Sequence, residues 1–234
     1  MALTDNLTVA FEFESAARLT SAVGGHVLTN HATVTFATGK VGDAANFVAA
    51  STQYLDIADH ADFSSNGGHI TVAAWVKRVS DAAMFFVAKW DSSNNREYAF
   101  QYILGTGVRF IVYEDGAAVT ATGFAALTQD VFHLLIGWTD GTNVNLSVDN
   151  GTAVSASFTA VPFAGDAPFV IGRASAGSGS YVDGLVDQVF FWQRAITSGE
   201  RTQIYNGGAG LTFAAMSSSP IPVFIHLSGQ MRTS

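Results

Sequence analysis

Cysteine is absent from this sequence. Disulfides, thiolate zinc sites, iron–sulfur clusters and cysteine nucleophiles are thereby excluded. Charge is scarce too. Charged residues are 13% of the chain, against roughly 25% in an average domain, and the lysines are Lys40, Lys77 and Lys89 alone. A net charge of −8 argues against a surface for nucleic acid or anionic lipid, since phosphate binding needs a positive field. No apolar run reaches the ~20 residues of a spanning helix, so no membrane insertion is expected. The start, MALTDNLTVAFEFES, has no basic region, and Asp5, Glu12 and Glu14 interrupt its apolar residues. It reads as lacking a signal peptide. The expectation is a chain made in the cytoplasm from Met1, reaching any outside location by another route, such as inside a virus particle.

What is present is β-forming. Hydrophobic residues are 48% of 234, with 23 glycines as turn material, too apolar for a disordered chain. Short runs rich in Val, Ile, Phe, Thr and Tyr between turn residues predict strands. They fall at Leu7–Phe13, Thr33–Phe36, Ala45–Val48, Tyr54–Ile57, His69–Val79, Met84–Lys89, Glu97–Leu104, Val108–Glu114, Val119–Gly123, Phe132–Thr139, Val144–Asp149, Thr152–Phe158, Phe169–Arg173 and Gly184–Trp192. Asp149-Asn150-Gly151 predicts a hairpin turn, with Asn-Gly supplying positive φ. Gly105-Thr106-Gly107 predicts another. Phe132–Thr139 and His69–Val79 are apolar on both faces, as in central strands of packed sheets. One helix is expected at Thr197–Tyr205, capped by Thr197 or Ser198, with Glu200 in its first turn and Gly207-Gly208 at its end. Its apolar stripe is expected on a sheet edge. Trp75 and Trp138 read as core by alternation, whereas Trp90, beside Asp91 at a strand end, is the first candidate for an exposed tryptophan, with a core or edge role favoured even there.

The fold class that follows is all-β, a two-sheet antiparallel β-sandwich with one short C-terminal helix. One domain is expected over 1–213 and a C-terminal arm over 214–234. The arm contains Pro220, Ile221, Pro222, Val223, Phe224 and Ile225, an apolar stretch that its prolines confine to an edge or an extended strand. Glu12 and Glu14 share a face if the first strand runs to Phe13. The six histidines form neither H-x-H nor H-E-x-x-H, which leaves zinc unsupported by local spacing. No G-x-S-x-G elbow or phosphate loop is present.

Several passages carry a family resemblance. Lys40-Val41-Gly42-Asp43-Ala44-Ala45-Asn46-Phe47 followed by Tyr54-Leu55-Asp56-Ile57, the strand Ile70-Thr71-Val72-Ala73-Ala74-Trp75-Val76-Lys77, the pair Phe132-His133, and Gly184–Val189 running on to Tyr205-Asn206-Gly207-Gly208 resemble, in order, laminin-G-like, concanavalin A-like jelly-roll domains. The texture is similar to free-standing members among bacteriophage structural proteins. The resemblance implies a jelly roll. Retaining glycosidases of this fold carry E-x-D-x-x-E, which this chain lacks, so no catalytic residue is assigned and no enzyme is expected. It also implies a calcium ion where first and last strands meet, with Glu14 and Asp187 as the matching carboxylates. The partner of Asp187, set in an apolar run, could equally be Arg194 or backbone amides. Two functions are expected. The first is a non-catalytic structural or adhesion protein of a virus or phage particle, a capsid decoration or tail-associated protein. It would assemble as a homo-oligomer or on other virion proteins through sandwich edges and the arm. The alternative is a calcium-assisted carbohydrate-binding module, with Trp90 and Asp91 contacting the glycan.

Overall fold

The computed structural model describes residues 1–92, 95–115, 119–174 and 179–218. Among them lie fifteen strands: β1 (Leu7–Phe11), β2 (Thr29–His31), β3 (Thr35–Thr38), β4 (Asp43–Phe47), β5 (Tyr54–Ile57), β6 (Thr71–Arg78), β7 (Met84–Ser92), β8 (Asn95–Ile103), β9 (Gly107–Tyr113), β10 (Val119–Ala121), β11 (His133–Thr139), β12 (Asn143–Val148), β13 (Val154–Ser157), β14 (Phe169–Ile171) and β15 (Gly184–Trp192). Helices α1 (Ser198–Tyr205) and α2 (Phe213–Ser218) follow. The first sheet runs β13-β12-β11-β6-β15-β4-β3, with β1 also on β15; the second runs β10-β9-β8-β7-β14-β5-β2. All described pairings are antiparallel.

The core lies between the sheets. Phe11, Phe63 and Phe169 stack there, the last two with ring centroids 4.7 Å apart. Phe110 reaches across to β11, where Gly137 has no side chain; a Cβ there would sit 2.4 Å from the ring. A second apolar layer covers the outer face of the first sheet. Ile196 and Ile204 pack with Ala73, Trp75, Leu134, Ile136, Trp138, Phe190 and Trp192. Helix α1 therefore sits over the central strands and not on a sheet edge. Those strands have two apolar faces, and the outer one must also be covered.

Local chemistry explains the ends. Thr197 caps α1 in a capping box with Glu200, and Asn206 closes it in the left-handed region. Arg194 grips both Glu200 oxygens at 2.6 and 2.9 Å and donates to the carbonyls of Ala2 and Asp5. Burial opposes the Glu200 charge, but the bonds from Arg194 and Thr197 together outweigh it and hold the carboxyl below its usual range.

Several details differ from the sequence reading. The β12–β13 turn has Asp149 and Asn150 as its positive-φ residues (φ 52 and 58), with Gly151 N donating to Val148 O. The turn is one residue earlier than Asn-Gly implies, because Asp149 itself adopts the left-handed conformation. Strand β1 stops at Phe11, and Phe13 has φ 60, so strand alternation does not hold through Glu12 and Glu14. Strand β2, Thr29–His31, is too polar and short to be read from hydropathy. Residues Pro220, Ile221, Pro222, Val223, Phe224 and Ile225 lie outside the described residues. The chain just before them turns back: Met216 is buried in the outer apolar layer and Phe213 N donates to Glu12 Oε1 at 2.8 Å.

Candidate functional site

One face of the second sheet carries an aromatic cluster outside the core. Ala88, Ala99 and Ile111 are neighbours across β7, β8 and β9 and pack with Phe85 and Tyr113. Residues that alternate with them, Phe100, Phe110 and Val112, belong to the inter-sheet core. Trp90 lies against this cluster, edge-on to Phe85 at 5.2 Å and to Tyr113 at 5.6 Å. The Arg96 guanidinium covers Trp90 at 4.8 Å and Tyr113 at 5.3 Å. Trp90 is thus half-buried at the edge of this cluster, and Asp91 beside it is exposed.

A strap from Pro162 to Asp166 closes one side. Ser65 Oγ donates to Pro162 O, Phe163 N to Tyr113 O, and Asn95 Nδ2 to Asp166 Oδ1. Gly165 presses so closely that a Cβ would meet Asn95 Oδ1 at 2.3 Å. Beyond the strap opens a cleft of about 230 Å³, lined by Asp59, Ala61, Ser64, Asn66, Ala164 and Gly165.

Under the cleft sits an ion cluster that sequence reasoning missed. Lys89 is fully buried. Its Nζ contacts Asp59 Oδ1 at 2.7 Å, bonds Glu97 Oε1, and donates to Gly165 O at 3.1 Å. Gly165 N donates to the same Glu97 oxygen. Burial raises the Glu97 carboxyl to about 7, with Lys89 pulling it back. The available signal was a lone lysine inside Phe85-Phe86-Val87-Ala88-Lys89-Trp90, because a charge in an apolar strand needs a partner. Its partners are dispersed through the sequence, at 59, 97 and 165.

The Glu14–Asp187 pair lies on the first sheet. Strand β15 pairs with β4 as far as Val186 and with β1 from Val189, and Gln188 bulges between with φ 50. Asp187 sits at this junction, fully buried. The β3–β4 turn caps it: Lys40 N and Val41 N donate to Oδ2 at 2.8 and 2.9 Å. Backbone amides are therefore the observed partners, and Arg194 is engaged elsewhere. Gly42, at φ 62, lies against Glu14; a Cβ there would be 2.1 Å from Oε1. Burial raises Asp187 to about 7, the amides of Val41 and Lys40 lower it, and Glu14 pushes it up again. Burial raises Glu14 as well. Calcium takes six to eight oxygens. Glu14 and the unpartnered buried Asp187 Oδ1 supply part of such a shell, while Oδ2 is committed to the amides.

The remaining named histidine, His133, bonds the turn residue Asp149 and accepts from Thr128 N. It is a tether between a strand and its loops.

The fold is shared with several solved structures. Domain 4 of AbnA, a GH43 extracellular arabinanase from Geobacillus stearothermophilus, solved with arabinotriose, matches with TM-score 0.67 and 17% identity over 85% of this chain and 97% of that one. The binding domain of Paraclostridial Mosquitocidal Protein 1 matches with TM-score 0.72 and 14% identity, over 88% and 53%. The binding domain of Botulinum Neurotoxin DC, solved in complex with SialylT, matches with TM-score 0.69 and 6% identity, over 88% and 52%. This chain spans about half the length of the two toxin domains. No curated protein sequence matches it. Residues 49–200, from just after β4 to the first turn of α1, fit the family model Laminin_G_3. The chain belongs to that family, described as the Concanavalin A-like lectin/glucanases superfamily.

Proposed function

We propose that this chain is a non-catalytic carbohydrate-binding module whose ligand lies across the Pro162–Asp166 strap. The observation that carries the reading is a small cleft on the strap that offers Asp59, Ser64 and Asn66, with Trp90 and the strap residue Phe163 packed on one aromatic cluster. Asp59, Ser64 and Asn66 offer hydroxyl partners, and Trp90, one face covered by Arg96, adds apolar surface near the strap. The cleft is below the ~300–1,000 Å³ of drug-sized pockets, which suits a single sugar unit. Two of the similar structures were solved with arabinotriose and with SialylT, which supports a glycan ligand. Hydrolysis would need two carboxyls facing the glycosidic bond. Glu97 is 1% exposed and neutralised by Lys89, which favours binding without catalysis.

The test is a glycan array followed by calorimetry on its best hit, with arabinotriose included. Trp90→Ala is expected to weaken binding by at least tenfold, about 1.4 kcal/mol, without a change in fold. Equal binding by Trp90→Ala, or no hit at all, would sink the proposal. Calcium assistance is separable from it, because Asp187 lies on β15 of the other sheet and Glu14 just past the end of β1.

A second reading, a structural or adhesion protein of a virus or phage particle, draws support from the sheet edges. β3 reads Thr35-Phe36-Ala37-Thr38 and β13 reads Val154-Ser155-Ala156-Ser157, with none of the charges that usually guard an edge. Main-chain pairing there would join copies or fixed neighbours. Light scattering on the full chain and on a chain ending at Ser218 is expected to show oligomers that the shorter chain loses. Monomers in both, with no virion association by mass spectrometry, would remove this reading.

A further inference from the structure

A third cluster lies apart from the strap and from Asp187. His26 Nε2 is 2.8 Å from Asp62 Oδ2, and His60 Nδ1 is 3.4 Å from the same oxygen. The two rings are 4.7 Å apart, and the three ligand atoms fall within 4.8 Å of one another. We propose that His26, His60 and Asp62 bind a divalent transition-metal ion, zinc by the chemistry of the donors.

Geometry at His60 carries the argument. Its Nδ1 accepts the Asp62 backbone N–H at 3.1 Å, so that nitrogen holds a lone pair and no proton. That nitrogen also lies 3.4 Å from Asp62 Oδ2, the oxygen that His26 Nε2 reaches at 2.8 Å, so three donor atoms converge on one point. Tetrahedral zinc with bonds of about 2.0–2.2 Å sets neighbouring ligand atoms roughly 3.4 Å apart. A cation at that point would take all three donors, and coordination would replace the amide hydrogen bond to His60 and the His26–Asp62 hydrogen bond. Two imidazoles and a carboxylate suit zinc, whereas calcium prefers an all-oxygen shell.

The site is also built. Gly24, at φ 73, lies where a Cβ would be 2.7 Å from His26 Nε2. The His26 ring rests on Phe63 at 4.9 Å. Thr8 Oγ1 on β1 donates to Asp62 O at 2.6 Å, which fixes the carboxylate's backbone. His60, with its side chain 53% exposed, leaves a side open for a fourth ligand such as water. Among the described residues, the ion contacts of Asp62 are these two imidazoles. Local histidine spacing could not reveal the site, because its ligands come from 26 and from 60–62. A metal here would tie the turn around Gly24 to the loop that supplies Asp59 and Ser64 to the cleft.

The test uses the untagged full chain after chelator treatment. Calorimetry with Zn²⁺ alone is expected to show one equivalent bound. Co²⁺ as a coloured stand-in is expected to give the visible bands of a four-coordinate site. His60→Ala and Asp62→Asn should each weaken zinc binding at least tenfold with unchanged circular dichroism. His31→Ala, which alters the separate His31–Asp56 pair, should leave it intact. If His60→Ala fails to fold, Asp62→Asn decides. No saturable one-to-one binding, or binding unaffected in the foldable variants, overturns the proposal.

Discussion

Replacing Lys89 by Met is expected to cost this protein about 3–5 kcal/mol, as is typical when one partner of a buried ion pair is removed. For a chain of this length that lowers the thermal midpoint by roughly 10 °C or more. The reason is what remains. Glu97 is 1% exposed, and without Nζ its charge is left with neutral donors, the Gly165 amide and Ser64. Glu97 can escape by taking a proton. Its carboxyl is already raised by burial with Lys89 present, and removing Lys89 raises it further. The loss in Lys89→Met should therefore be small near pH 4.5 and grow as pH rises. The double variant Lys89→Met with Glu97→Gln removes the stranded charge and should recover most of the stability. Unfolding scans at pH 4.5 and pH 8 on the three variants check this. A pH-independent loss that Glu97→Gln does not repair would mean that packing, and not charge, holds the strap.

Replacing Asp187 by Asn is expected to do the opposite, stabilising the protein at pH 8. The carboxyl is raised from an ordinary value of 3.8 to about 7 in the folded state. A raised carboxyl binds its proton more tightly when folded, so its contribution is complete below pH 4 and is lost as pH climbs through 7. At about 1.4 kcal/mol per pH unit, the ionised group costs on the order of 4 kcal/mol at pH 8. An asparagine keeps an oxygen for the Lys40 and Val41 amides and carries no charge to be repelled by Glu14, so a gain of about 2–3 kcal/mol is expected after imperfect fit. Near pH 4 the variant and the parent should be equal. Denaturant titrations at both pH values measure the difference. A variant less stable at pH 8 would show that the carboxylate charge is held by a cation. Added Ca²⁺ should then stabilise the parent and not the variant.

Strand positions and the helix cap were legible because each is a local signal. Thr197 with Glu200 three residues on, and alternation in Phe132–Thr139, act within one turn or one strand. Asp187 was legible as a carboxylate in an apolar run, although its amide partners, 146 and 147 residues away, were one of three open choices. For Trp90 the sequence favoured a core or edge role over an open platform, but the partners Phe85, Tyr113 and Arg96 could not be named, because they reach it only once β7, β8 and β9 are side by side. The Lys89 cluster and the His26–His60–Asp62 group stayed hidden for the same reason. Their members meet through tertiary pairing, and no period of two or 3.6 encodes that.

Strand β15 sits between β6 on one side and β4 and β1 on the other, yet among the described strands of the first sheet it is the last to leave the ribosome. Until Trp192 has emerged, β1, β4 and β6 each wait with an unpaired edge, and the outer apolar face of β6 waits longer still for α1. Synthesis at ≈ 5–20 residues per second makes that exposure last on the order of seconds. A sheet whose centre arrives late depends on its early strands staying apart, and the chain carries few lysines to keep them so.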